Sequence, residues 1–302
     1  MSEASPAQRA LAYLALAASM AIVGGYVGFS KALLIVFPVF LLAGLRFAIA
    51  AIAMAPWLRR PPDEALLDSR GRRLLFLESF FGNFLFSIFM LYGMRQSSAL
   101  AAGVIMAALP AVVALLSWLL LGERIGARIG AAIACAITGI ALVALARDAA
   151  GELASGSLAG SALLLAAVTC EALYVVIGKK LTASLGPKRI SALINLWGLV
   201  LVAPLALWQL VDFSPRYIGW SYWVLLFVYA IAASVVTVWL WMTGMRHVPA
   251  ASAGIFTVFL PVSAAAVGVA FYGERFTAMQ VAAFALALGG VMLATWPMRR
   301  RD

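Results

Sequence analysis

Ten apolar runs, each about as long as an α-helix must be to cross a hydrocarbon core of about 30 Å, follow one another with only short polar connections. They fall at roughly residues 11–30, 34–57, 74–93, 99–121, 126–146, 157–178, 190–211, 219–243, 250–272 and 277–297. The runs show no period-two alternation, which selects helices over a porin-like barrel. At 65% hydrophobic and 11% charged, with a mean hydropathy of +1.03, the 302 residues lie outside the composition of soluble domains. The sequence predicts an all-α integral membrane protein of ten transmembrane helices, the first of them retained because no credible cleavage site follows it.

The net charge of +10 does not indicate nucleic acid, because Lys and Arg sit at run ends with no interleaved aromatics. Their distribution predicts orientation instead. Sixteen of the 22 lie in alternate segments at Arg9, at Arg59 to Arg73, at Arg124 and Arg128, at Lys179 to Arg189, at Arg246 and at Arg299 to Arg301. Five lie on the other side, at Lys31, Arg95, Arg147, Arg216 and Arg275, and Arg46 falls within a run. The positive-inside rule then puts both termini in the cytoplasm. Tyr217, Trp220, Tyr222 and Trp223 read as an aromatic belt at headgroup level. Cys135 and Cys170 lie within runs, so no disulfide framework or cysteine metal site is expected. With no phosphate loop, a single histidine (His247) and no serine beside a base, neither cofactor, metal nor enzyme chemistry is expected.

A shift of 151 residues superposes Gly93-Met94-Arg95 on Gly244-Met245-Arg246, Pro110 on Pro261, and Gly122-Glu123-Arg124 on Gly273-Glu274-Arg275, continuing to Gly139 and Gly290. The chain thus reads as two five-helix repeats, 1–148 and 149–302. An odd number of spans forces the second to insert upside down. Two similar halves facing opposite sides can exchange conformations around one midplane site, so the pattern points to a transporter working by alternating access.

Candidate site residues follow from what a membrane interior tolerates. Pro110 and Pro261 each remove a backbone donor and loosen the carbonyls of Met106 and Thr257, as hinges lining a cavity or as kinks satisfied by a neighbour. The Gly-Glu-Arg motifs read as a helix end followed by an acid favouring the next helix, or as gate-forming ion pairs with the opposite half. Arg46, Glu78 and Glu171 are charges within runs and should face the interior. Arg46 could hold a carboxylate, Glu78 should reach an inner Lys or Arg, and Glu171 could bind an ammonium group or carry a proton. Tyr26, Ser30, Asn83, Ser87, Tyr174, Ser234 and Thr237 are polar candidates, each equally able to bond a neighbouring helix. Phe81, Trp239 and Phe256 could stack on a flat substrate. Small-residue runs such as Gly24-Gly25 suit packing within the chain and between copies alike, so oligomeric state stays open.

Pro38 with Leu45-Arg46-Phe47, Tyr92-Gly93-Met94, Ala99 to Gly103, Pro110, Gly122-Glu123-Arg124 and their second-half counterparts resemble the EamA-type family of the drug/metabolite transporter superfamily over nearly the whole chain. Within it the sequence is similar to bacterial exporters of aromatic amino acids. The resemblance implies a cavity among the first, third, fourth, sixth, eighth and ninth spans. It also implies efflux of aromatic and other neutral amino acids or similar small metabolites. A broad drug or cation carrier is the alternative, and a non-transporting scaffold or a channel the rival class. Nucleotide sugars would require more buried cations than Arg46 alone.

Overall fold

The computed structural model describes residues 6–62, 64, 67–121, 130–131, 134–135, 138–139, 142, 157–182, 184–247, 254–275 and 277–295. Its helices are α1 (Pro6–Leu33), α2 (Val39–Ala53), α3 (Ser69–Arg95), α4 (Ala99–Met106), α5 (Leu109–Leu121), α6 (Leu158–Leu181), α7 (Pro187–Val211), α8 (Trp220–His247), α9 (Phe259–Tyr272) and α10 (Ala278–Thr295). No strand occurs among the described residues. Five of these helices, α1, α3, α6, α7 and α8, are long and apolar enough to cross a membrane. Shorter apolar helices occupy Val39–Ala53, Ala101–Val113, Phe256–Tyr272 and Ala278–Gly290. Most of the fifth expected span and the Gly122-Glu123-Arg124 motif lie outside the described residues.

Helix starts follow from side chains that accept the first free amides. Asp68 accepts from Gly71 N at 2.7 Å, Ser98 from Ala101 N at 3.0 Å and Ser157 from Gly160 N at 2.9 Å. Thr277 and Gln280 bond each other's backbone amides at 3.0 and 3.2 Å, a reciprocal capping box for α10. Gly273 ends α9 with φ of 63°, and Glu274 N then donates to Gly268 O at 3.0 Å.

The prolines are not mid-helix kinks as the sequence suggested. The chain leaves helical geometry before each of them, at Ala107 and Ala108 ahead of Pro110 and over Gly254–Val258 ahead of Pro261. Each proline then stands in the first turn of α5 or α9, where its missing donor costs no ladder bond.

Two π-helical turns, Phe80–Leu85 in α3 and Ile231–Val236 in α8, lie 151 residues apart, the offset that relates the sequence motifs. A π-turn widens the helix by one residue and redirects side chains and carbonyls around it. From the first, Asn83 Nδ2 donates to Ile194 O of α7 at 2.9 Å, joined by Ser79 Oγ at 2.6 Å. At the second, the Ser234 carbonyl accepts from Asn195 Nδ2 at 3.0 Å. Both turns are thereby tied to one stretch of α7.

The helices pack crosswise: α1 lies against α8 and α9, α6 against α3, α4 and α5, and α9 also meets α4. Glycine permits the closest approaches, since in lipid helices associate through packing of small residues. A Cβ on Gly24 would come within 2.8 Å of Ala264 N on α9, and one on Gly244 within 2.9 Å of Ala12 O on α1.

Two ion pairs join early to late parts of the chain at opposite ends of the bundle. Lys31 Nζ meets Glu274 Oε1 at 3.1 Å, and the same oxygen accepts from Ala99 N at 3.1 Å. Of the two readings of the motif, an acid serving the helix that follows or an ion pair with the opposite half, Glu274 makes the ion pair, and it caps α4 while Thr277 and Gln280 satisfy the start of α10. At the other end Glu64 pairs with Arg189 at the start of α7.

Gly24→Val should destabilise the detergent-solubilised protein by about 1–3 kcal/mol through overpacking. Gly25→Val, with nothing within 4 Å of its Cβ, should leave the thermal midpoint nearly unchanged. Glu274→Gln keeps an oxygen for Ala99 N and should cost at most about 1 kcal/mol, whereas Glu274→Ala should cost about 1 kcal/mol more through loss of the cap. Thermal unfolding of the variants side by side checks both orderings.

Candidate functional site

A cavity of about 30 Å³ lies at the middle of the bundle, lined by Ser19, Met20, Val23 and Tyr26 of α1, Arg46 of α2, and Gly82, Asn83 and Phe86 of α3. Glu171 and Tyr174 of α6 and Ala233, Thr237, Val238 and Trp241 of α8 complete it. Helical spacing explains the set. Met20, Val23 and Tyr26 recur every three residues on one face of α1, as do Glu171 and Tyr174 on α6. The π-turns bring Gly82, Asn83 and Ala233 to the same depth.

Eight of the lining residues form four pairs at the 151-residue offset: Met20 with Glu171, Val23 with Tyr174, Gly82 with Ala233, and Phe86 with Thr237. Corresponding positions therefore face one space. The pairs differ in polarity, apolar Met20 and Val23 standing where the later part of the chain has Glu171 and Tyr174.

Arg46 is 3% exposed and Glu171 8%. Arg46 Nη2 donates to Ser87 Oγ, which donates to the Asn83 carbonyl, and the guanidinium lies 4.3 Å from the centre of the Phe47 ring. Arg46 Nε has no hydrogen-bond partner among the described residues. The position 151 residues on holds Trp197, so the cavity has this one guanidinium. Thr237 Oγ1 donates to Ala233 O at 2.7 Å, and Ser19 Oγ to the Thr237 carbonyl at 2.9 Å. Tyr26 meets Tyr229 edge-on, ring centres 5.7 Å apart, and the Tyr229 hydroxyl is buried without a partner.

Six of the candidates taken from the sequence come together here: Tyr26, Arg46, Asn83, Glu171, Tyr174 and Thr237. The others do not line the cavity. Ser30 turns back to Val27 O at 2.7 Å. Phe81 packs edge-on against Phe80, and Phe256 stacks on Tyr13. Trp239 is 36% exposed and lies 6.4 Å from Trp57 on the far side of α8, while Trp241, two residues on, faces the cavity. Met106 and Thr257 are buried away from it, beside the two helix breaks. The i+4 relation of Trp241 to Thr237 was the available signal for the better tryptophan. Glu78, expected to reach a basic residue, is fully buried, and neither carboxyl oxygen has a partner among the described residues.

About 30 Å³ holds about two waters and no larger molecule. In this conformation the cavity is a narrow polar chamber, and a larger guest enters only if the helices part.

The EamA-like transporter family profile matches the chain twice, over residues 10–145 and 158–296. YetK of Bacillus subtilis (strain 168), described as an uncharacterized transporter, is 32% identical over 295 residues, covering 96% of this chain and 88% of its own. A second uncharacterized transporter of that organism, YwfM, is 26% identical over 212 residues, 68% of each chain. A protein of known crystal structure shares the fold with a TM-score of 0.62 at 20% identity, over 94% of this chain and 96% of its own. The helical membrane architecture, the central chamber and these matches agree: the chain belongs to the EamA-like transporter family.

Proposed function

We propose that the chain is a secondary carrier that exports amino acids, aromatic and other neutral ones, or similar small metabolites across the inner membrane by alternating access. Its two halves, 1–148 and 149–302, act as inverted five-helix repeats with both termini cytoplasmic. The observation that carries the substrate class is the chamber's polarity: one buried guanidinium, Arg46, and one buried carboxyl, Glu171, on helices from the two halves. A zwitterion taken from water needs both charges compensated. Arg46 would take the carboxylate and Glu171 the ammonium, with Tyr26, Phe86, Tyr174 and Trp241 as walls that accept an apolar or aromatic side chain.

Alternating access is supported by the four lining pairs, the matched π-turns and the two ion pairs at opposite ends of the bundle. Opening one end would break Lys31–Glu274, and opening the other Glu64–Arg189. Lys31–Glu274 is exposed enough at its lysine to reform in water at modest cost, whereas Glu64–Arg189 is largely buried and costs more to part.

Purified protein in proteoliposomes should exchange labelled phenylalanine for internal unlabelled amino acid with saturation. Arg46→Gln and Glu171→Gln should each weaken this exchange about tenfold or more, the loss of one charged hydrogen bond. Phenethylamine, lacking the carboxylate, should compete equally with wild type and Arg46→Gln but lose to Glu171→Gln. Competition by a cationic dye with none by amino acids would reassign the protein to drug efflux, and flux without saturation or counterflow would make it a channel.

A further inference from the structure

Glu78 lies outside the chamber, toward the Glu64 end, in a place built to hold a carboxyl group. A Cβ on Gly178 would come within 2.6 Å of Glu78 Oε1 and 3.2 Å of Met242 Cε, so α6 forgoes a side chain where the acid rests. One turn along α3, Gly82 does the same for the Tyr174 ring, whose Cγ lies 2.8 Å from the position of a Cβ there. Glu78 and Gly82 are four residues apart on α3, and Tyr174 and Gly178 four apart on α6, so two facing stripes interlock. Tyr174 lines the chamber and Glu171 stands one turn further along the same stripe.

Among the described residues the carboxyl oxygens of Glu78 have no hydrogen-bond partner, and no described Lys or Arg pairs with them. From α6 the titratable groups that act on the site are Glu171 and Tyr174; α8 contributes Met242, and α7 is joined next to it by the Ser79 bond to Ile194 O. An unpaired carboxylate in hydrocarbon surroundings is costly. The residue 151 positions on is Tyr229, also buried with an unpartnered hydroxyl, so the acid is present on one side of the chamber only.

We propose that Glu78 is a proton-binding site that couples this carrier to the proton gradient, loading and releasing a proton in exchange for substrate, with Tyr174 between it and the chamber. The coupling rests on the transport reading above; proton binding by Glu78 does not.

Two measurements on the full-length protein separate them. In proteoliposomes, a one-unit pH gradient should drive roughly tenfold accumulation of phenylalanine by wild type if one proton exchanges per neutral substrate. Glu78→Gln should abolish this accumulation while keeping counterflow, which needs no net proton movement. Wild type indifferent to the gradient, or Glu78→Gln still driven by it, overturns the coupling. Infrared difference spectra of the purified protein across a pH titration should show a deuterium-sensitive carboxylic C=O band that vanishes in Glu78→Gln. This readout uses no substrate and holds if phenylalanine is not transported. A titrating band left intact in Glu78→Gln overturns the assignment to Glu78.

Discussion

Inside a hydrocarbon layer, a polar atom that leaves the helical ladder must be met by another part of the protein, and the architecture follows from how the two π-turns meet that demand. Each lies at the depth of the chamber and each is tied to α7: the Asn83 and Ser79 side chains donate to Ile194 O, and the Ser234 carbonyl accepts from Asn195 Nδ2. The same turns aim Gly82 and Asn83 inward from α3 and Ala233 from α8. Without the widened turns the chamber would lose its floor on two sides, and Ser87 would not stand between Arg46 and the Asn83 carbonyl. The site and the scaffold are therefore held by one set of bonds.

Symmetry of position combined with asymmetry of chemistry is what gives the chamber direction. Four pairs of corresponding residues face it, yet Glu171 and Tyr174 occupy places where α1 has Met20 and Val23, and Arg46 has only Trp197 as its counterpart. Corresponding positions share one space, and the departures from correspondence supply its charged and polar groups. Glu78 opposite Tyr229 is a further departure of this kind.

Much of this was legible in the sequence because the bilayer imposes a coarse code. Run lengths gave the helical membrane class, the 151-residue offset foretold corresponding positions, and charges within runs singled out Arg46 and Glu171 by cost alone. What stayed hidden depended on angular position and on neighbours. Trp239 and Trp241 are equally aromatic, and only their phase relative to Thr237 separates them. Neither π-turn carries a proline, so Phe80–Leu85 and Ile231–Val236 read as ordinary apolar helix. Glu78 lies near a helix end rich in Lys and Arg, which suggested a partner there; the glycine that seats it, Gly178, is one hundred positions away in the chain. Pro110 and Pro261 were read as kinks in the middle of their spans, yet each stands in the first turn of a helix that starts after a break, since proline tolerates a first turn far better than a middle one.

Glu274 supplies the acceptor for the first amide of α4, although 175 residues separate the two along the chain. During synthesis, α4 therefore enters the membrane with its N-terminal amides satisfied by Ser98 and water, and the carboxylate that completes its start emerges only after α9. A chain truncated before residue 274 would lack both this acceptor and the partner of Lys31, so the start of α4 and the end of α1 would lose the contact that joins them to the end of α9.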